Sequence, residues 1–291
     1  MFQSRCSDAA VEPLPGTAKR MDVCLALEYP YSWSHDVLDG NTLGELTGPI
    51  KEHLATRGAA LQLIRRAGRA GHGGQPSDQR RFHLYLFFVR EGITEVLKVD
   101  GPEAILDVDL SGPGKNGALQ VHHPVLLVCT HSKRDACCAV KGRPLAAALD
   151  AMLPAEWVWE SSHTKGHRFA PSMLLMPWGY SFGRLGPQPA AAAVEAASRG
   201  ELFYTGNRGR GCFDPQGQVS ELAVAKQLIS TSGHAPLGEI CAEGEKATYA
   251  GRTWQVHQHQ VEVPGVVSSC GDEPKVGKAW QVDEVVETTG A

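Results

Sequence analysis

Residues 124–138 read PVLLVCTHSKRDACC. Val125 to Val128 form a short apolar run of the kind that makes a buried strand, and Cys129, Thr130 and His131 end it in a polar loop. Just upstream lies SGPGKNG (111–117), a glycine and proline linker. Downstream, 143–152 predicts a helix with an alanine-rich face, 157–160, 173–176 and 180–185 predict strands, and 190–197 predicts a second helix. Before the linker, Val23, Leu25 and Leu27 alternate with Cys24 and Ala26 in a strand over 22–28 that Tyr29 and Pro30 end. Leu43, Leu46, Ile50 and Leu54 then recur at helical spacing, and Gly58 stops that helix. Strands follow at 60–64, 82–89 and 93–99, with a Gly, Arg and Gln-rich loop (67–79) after the first of them and a short helix near Pro102.

One order, strand, helix, strand, hairpin, helix, therefore occurs twice. A β-α-β crossover followed by a hairpin and a closing helix is the thioredoxin-type layer. The sequence predicts an α/β protein of two tandem thioredoxin-like units, 1–111 and 118–232, with a further helix at 219–228. Short strands at 247–263 and 279–286, separated by Gly and Pro, predict a small C-terminal extension, 233–291.

Composition narrows the function. The chain has 291 residues, with 28 Lys and Arg against 32 Asp and Glu, and this mildly acidic balance argues against non-specific nucleic-acid binding. No apolar run approaches the ~20 residues that cross a bilayer. The start, MFQSRCSD, lacks a basic-then-apolar leader profile, so a cytoplasmic, reducing setting is expected. Eight cysteines in this length are too sparse for a disulfide scaffold, and only Cys137 and Cys138, with Cys129 upstream, cluster.

The chemistry-bearing residues fall in two loops: Cys129 through Cys138, and HTKGHRFA (163–170). In the predicted topology one loop leaves the first strand of the second unit and the other follows its second strand, so both lie at the same end of the sheet. Two thiolates and two imidazoles brought together there, from Cys129 and one of Cys137 and Cys138 with His163 and His167, would make a four-donor site for a soft or borderline metal. Structural zinc sites favour Cys pairs two to four apart, whereas a nine-residue loop suits a larger cluster. Adjacent cysteines do not work as a Cys-x-x-Cys pair, which disfavours a thiol-dependent oxidoreductase. Three other patterns are weaker. Gly112-x-Gly114-x-x-Gly117 precedes a strand rather than opening a helix, and reads as linker. His257 and His259 share a strand face with no third ligand nearby, and read as solvated. Asn207 to Gly211 reads as an ordinary turn or as a basic loop for an acidic partner.

With these residues in view, the chain resembles the sucrase/ferredoxin-like family. The resemblance rests on Val128 to His131, Cys137 to Ala139, Gly142 to Pro144, Trp159 and Glu160, and His163 with Gly166 to Ala170, and more weakly on Cys6, Ser7, Gly16 to Ala18, Arg208 to Gly211, Gln218 and Glu221. It implies a thioredoxin-like ferredoxin unit holding one 2Fe-2S cluster through Cys129, Cys138, His163 and His167, a bis-histidine arrangement found in fungal relatives. The family spacing favours Cys138 over Cys137. Many bacterial relatives carry Cys where this chain has Ser162, and Asp where it has His167. The implied role is electron transfer or redox sensing with a redox protein as partner; the alternatives are a zinc-stapled interaction module and a thiol-dependent oxidoreductase. No nucleophile elbow or carboxylate pair supports a hydrolase. By analogy with Rieske centres, two His ligands imply a potential within about −150 to +300 mV.

Overall fold

The structure, a computed structural model, describes residues 5–68 and 81–288; most of the predicted loop 67–79 lies outside them. A short helix α1 (Cys6–Ala9) precedes β1 (Val23–Glu28), α2 (Thr47–Ala55), β2 (Ala60–Arg65), β3 (Phe82–Phe88), β4 (Ile93–Val99) and β5 (Leu119–Val121). The second half runs β6 (Val125–Cys129), α3 (Ala136–Met152), β7 (Val158–Ser161), β8 (Ser172–Met176), β9 (Tyr180–Gly183), α4 (Pro187–Ser198), β10 (Asn207–Arg210) and α5 (Pro215–Ser232). It ends in β11 (Cys241–Glu243), β12 (Lys246–Tyr249), β13 (Arg252–Val266) and β14 (Lys275–Thr288).

The first ten strands form one mixed sheet in the order β10-β9-β8-β6-β7-β2-β1-β3-β4-β5. Each half repeats the same arrangement. β1 lies parallel to β2 and antiparallel to β3, just as β6 lies parallel to β7 and antiparallel to β8. The halves join where β2 and β7 pair antiparallel, opposing Ile64 to Ser161 and Arg65 to Glu160. At that seam Arg65 Nε reaches Glu160 Oε2 at 3.0 Å with both side chains buried, and Gln62 Oε1 accepts from the hydroxyls of Ser161 and Ser162. The central strands are buried along their whole length because both faces are covered, and apart from the polar seam and the end of β1 they are apolar. Val23, Leu25 and Leu27 enter the core under α2, whereas Cys24 and Ala26 face an opposite core that both halves share with Tyr85, Phe87, Leu127, Trp159 and Met176.

The short helix expected near Pro102 is a 3-10 helix (Pro102–Asp107), β5 was not expected, and three other regions differ from the sequence expectation. Helix α3 begins at Ala136, not 143: Asp135 caps it by accepting from Cys137 N at 2.8 Å. Pro144 sits inside this helix on an exposed side, four residues after the exposed Val140 whose carbonyl its ring leaves without a helical N–H. The stretch 207–211, read as a turn or docking loop, is instead the edge strand β10, and with Arg208 and Arg210 at 2% and 3% exposure it cannot dock an acidic partner. Finally, β13 and β14 form one long hairpin rather than short strands. Pro264 and Gly265 do not end β13, because a register irregularity between Val263 and Val266 absorbs them. Trp254 and Val256 of β13 join the core of the second half. His257 and His259 are exposed, as expected of a solvated face.

Helix α5 buries a carboxyl group. Glu221 is fully enclosed; its Oε1 accepts from the Tyr180 hydroxyl at 2.6 Å, and burial pushes its pKa up to about 7. The folded chain therefore holds this proton more tightly than the unfolded chain, whose Glu titrates at the ordinary value of 4.5. The associated stability is fully present below 4.5 and is lost as pH rises to about 7, a change of roughly 3 kcal/mol. Denaturant unfolding of wild type and Glu221→Gln across pH should show the variant gaining on wild type by this amount over that window and no further above it. A pH-independent difference between the two would refute the assignment.

Candidate metal centre

The C-terminal ends of the parallel strands β6 and β7 deliver the two predicted loops side by side. Cys129 is the last residue of β6 and is 1% exposed. Cys138 lies in the first turn of α3, and His163 follows β7. Their donor atoms all lie within 4.8 Å of one another. His163 Nδ1 stands 3.8 Å from Cys129 Sγ and 3.9 Å from Cys138 Sγ. Cys137, one position earlier on the same helix, is turned about 100° away and faces a different neighbourhood.

His167 opens a short 3-10 turn (His167–Phe169), and its ring stacks on His163 with centroids 5.2 Å apart. It does not join the compact group of Cys129, Cys138 and His163. Its Nε2–H donates to the Ser268 carbonyl at 2.7 Å, so the bare nitrogen is Nδ1, which is buried and has no hydrogen-bond partner. Burial lowers the pKa of His167 and keeps the ring neutral, the form that ligates. An enclosed imidazole nitrogen with a free lone pair, beside two thiols and a second imidazole, fits a metal or cluster ligand.

The thiol pair is electrostatically unequal. The hydrogen bond from Cys138 and the neighbouring His163 hold Cys129 well below the usual thiol range, against the cost of burial. The same hydrogen bond to Cys129, with burial, pushes Cys138 up. Of the two thiols, Cys129 is thus the more easily ionised.

Several positioning residues lie outside the predicted set. His131 donates from Nε2 to the Ser34 carbonyl at 2.6 Å and accepts at Nδ1 from the His163 backbone N–H at 3.2 Å, tying the His163 loop to the first half. Arg208 of β10 donates from Nη1 to the Lys165 carbonyl between the two histidines at 3.3 Å and from Nε to Thr17 Oγ1 at 3.0 Å; burial lowers its pKa to about 9. Its guanidinium occupies the space beside Gly166, where a Cβ would lie 2.5 Å from Nη1, and Gly166 also has φ +143°, so this position requires glycine. Ser162 is buried at the seam and accepts from Leu63 N at 3.0 Å. These contacts cross between distant segments, so local sequence patterns hold no signal for them. Beside His163 lies a cleft of ≈ 300 Å³ whose lining includes Lys19, Arg20, His35, Arg134 and Lys165.

Fold and site together define a mixed α/β protein with a buried Cys and His donor set at the end of its sheet. The chain belongs to the sucrase/ferredoxin-like family, whose sequence profile matches residues 14–209. No curated protein and no solved structure matches it significantly. Among the described residues, no helix is long and apolar enough to cross a membrane.

Proposed function

We propose that this chain is an iron–sulfur protein for electron transfer or redox sensing, with one 2Fe-2S cluster held by Cys129, Cys138, His163 and His167. The observation that carries the reading is the width of the donor set. A single tetrahedral ion needs four donors mutually about 3.3 to 3.8 Å apart, as bond lengths near 2.0 to 2.3 Å dictate. Here three donors are compact, while the fourth, the free Nδ1 of His167, stands outside their group, which suits a centre larger than one ion. Membership of a ferredoxin-like family supports the same conclusion. The repeated strand order supports reading each half as a thioredoxin-like unit, with boundaries near 1–111 and 118–232, the first serving as scaffold or docking surface.

When bound, such a cluster supplies one-electron chemistry. The chain's own residues provide a thiolate at Cys129, exclude water by burying both sulfurs, orient His163 through His131, and keep the Nε2 proton of His167 on the Ser268 carbonyl. The cationic cleft beside His163 suits an acidic redox partner. Eight free thiols suit the reducing cytoplasm. A thiol-dependent oxidoreductase fits poorly, because Cys129 and Cys138 are each 1% exposed and cannot meet a substrate disulfide. Zinc is the second reading, favoured by the sulfur to nitrogen distances of 3.8 and 3.9 Å within the compact group.

Metal and sulfide analysis of the purified chain tests the proposal. A red-brown protein with iron and acid-labile sulfide in equal amounts, two of each per chain, is expected. A colourless protein without sulfide, its zinc released by Cys129→Ser, would support the second reading instead.

A further inference from the structure

We propose that Cys6, Cys137, Cys270 and Asp135 form a second metal site, separate from the Cys129 and Cys138 centre, that binds one zinc ion. The donors come from three segments remote in sequence: α1, the start of α3, and the loop between β13 and β14. Their ligand atoms all lie within 4.8 Å of one another. The three sulfurs form a triangle with sides of 3.5 Å (Cys6 to Cys137), 3.3 Å (Cys137 to Cys270) and 3.7 Å (Cys270 to Cys6). Around a tetrahedral ion with Zn–S near 2.3 Å, sulfurs sit about 3.8 Å apart, so this triangle is within half an ångström of the required face. Asp135 supplies the fourth corner, with Oδ1 3.1 Å from Cys270 Sγ and 3.8 Å from Cys6 Sγ.

The surroundings are those of a built ligand shell. The Ser7 hydroxyl donates to Cys137 Sγ at 3.3 Å, a bond that stabilises a thiolate. Backbone N–H groups of Cys137 and Cys270 donate to Asp135 at 2.8 and 2.9 Å and fix its carboxylate toward the sulfurs. Cys6, Cys137 and Asp135 are buried, with Ala170 and Val267 packed around the thiols. Such crowding brings three sulfurs and a carboxylate within 4.8 Å of one another, an arrangement that a cation stabilises. A divalent ion replaces the thiol protons and removes the mutual repulsion of three sulfurs and a carboxylate. Compactness excludes a larger cluster, because all four donors fit one ion's sphere. Three thiolates and one carboxylate select a soft or borderline tetrahedral ion, and zinc meets that requirement.

The proposal does not depend on iron at the first site. Elemental analysis of the full chain, prepared under reducing conditions with zinc and then passed over a chelating resin, is the test. One zinc per chain is expected in wild type, falling to none in Cys6→Ser and in Cys270→Ser while iron content and visible absorption persist. Cys129→Ser should show the converse, losing iron and keeping zinc. As a check independent of folding in the Cys6 and Cys270 variants, Co²⁺ added to Cys129→Ser should give intense thiolate-to-cobalt charge-transfer absorption that saturates at one equivalent. Absence of zinc and of the cobalt bands, or zinc retained in both Cys6→Ser and Cys270→Ser, would overturn the proposal. So would peptide mapping of the reduced preparation that finds two of these sulfurs joined as a disulfide. An iron-free chain that still binds one zinc through Cys6 and Cys270 would sink the iron–sulfur reading and leave this one standing.

Discussion

Cys129→Ser and Cys138→Ser are each expected to abolish visible absorption and bound iron, whereas Cys137→Ser should retain both. A serine hydroxyl is a hard, poorly ionised donor that does not replace a thiolate on iron. Cys129 and Cys138 face His163 from the strand end and the first helical turn, and each loss would leave at most three donors. Cys137 instead contacts Cys6 and Cys270, so its substitution should remove zinc and spare iron. Visible spectra and metal content of the three variants settle the matter together. Bleaching by Cys137→Ser with colour retained in Cys138→Ser would place the ligand one residue earlier.

Gly142→Ala is expected to be among the most damaging single-methyl changes in this protein. Gly142 sits in α3 where the helix crosses the end of β6, and a Cβ there would lie 2.0 Å from the Cys129 carbonyl oxygen. No flexible side chain can yield, so either the helix lifts or the strand end moves. Overpacking of a close core costs about 1 to 3 kcal/mol, and this backbone clash belongs at or beyond the upper end. The thermal midpoint should fall by roughly 6 to 12 °C, and iron incorporation should fall with it because Cys129 is displaced. Gly48→Ala provides the contrast: Gly48 lies in α2 with nothing within 4 Å of its Cβ position, and its midpoint should stay level or rise slightly. Equal midpoints for the two variants would mean that α3 does not press on the end of β6 as described.

The first strand of each half was legible as a short apolar stretch, because a strand buried on both faces is apolar at consecutive positions over a short length. The repeated element order, and with it the placement of Cys129 and His163 at one end of the sheet, followed from local periodicity as well. The start of α3 was legible in principle, because Asp135 before Ala-Cys-Cys-Ala-Val is a capping residue, but the predicted helix was read from its alanine-rich face and began only at 143. That boundary left Cys137 and Cys138 on a loop with no assigned direction; once both are helical, they point to different sites.

Other features are decided only by long-range packing. β10 has the sequence NRGR, with no apolar residue to reveal it, and it exists as a buried strand because Arg208 and Arg210 satisfy carbonyl groups brought in from residues 17, 165, 178 and 238. The seam between β2 and β7, and the core both halves share beneath it, bring together residues nearly a hundred positions apart. Cys6 and Cys270 are 264 positions apart, each solitary in the sequence, and they meet at Asp135 only because the β13 and β14 hairpin carries its loop back to the start of α3. Sequence periodicity reports which face of an element is buried, but not which distant face buries it. The strands, helices and Cys and His loops were therefore written locally, while the joined sheet, the enclosure of His167 and the second thiol cluster arose from tertiary contacts.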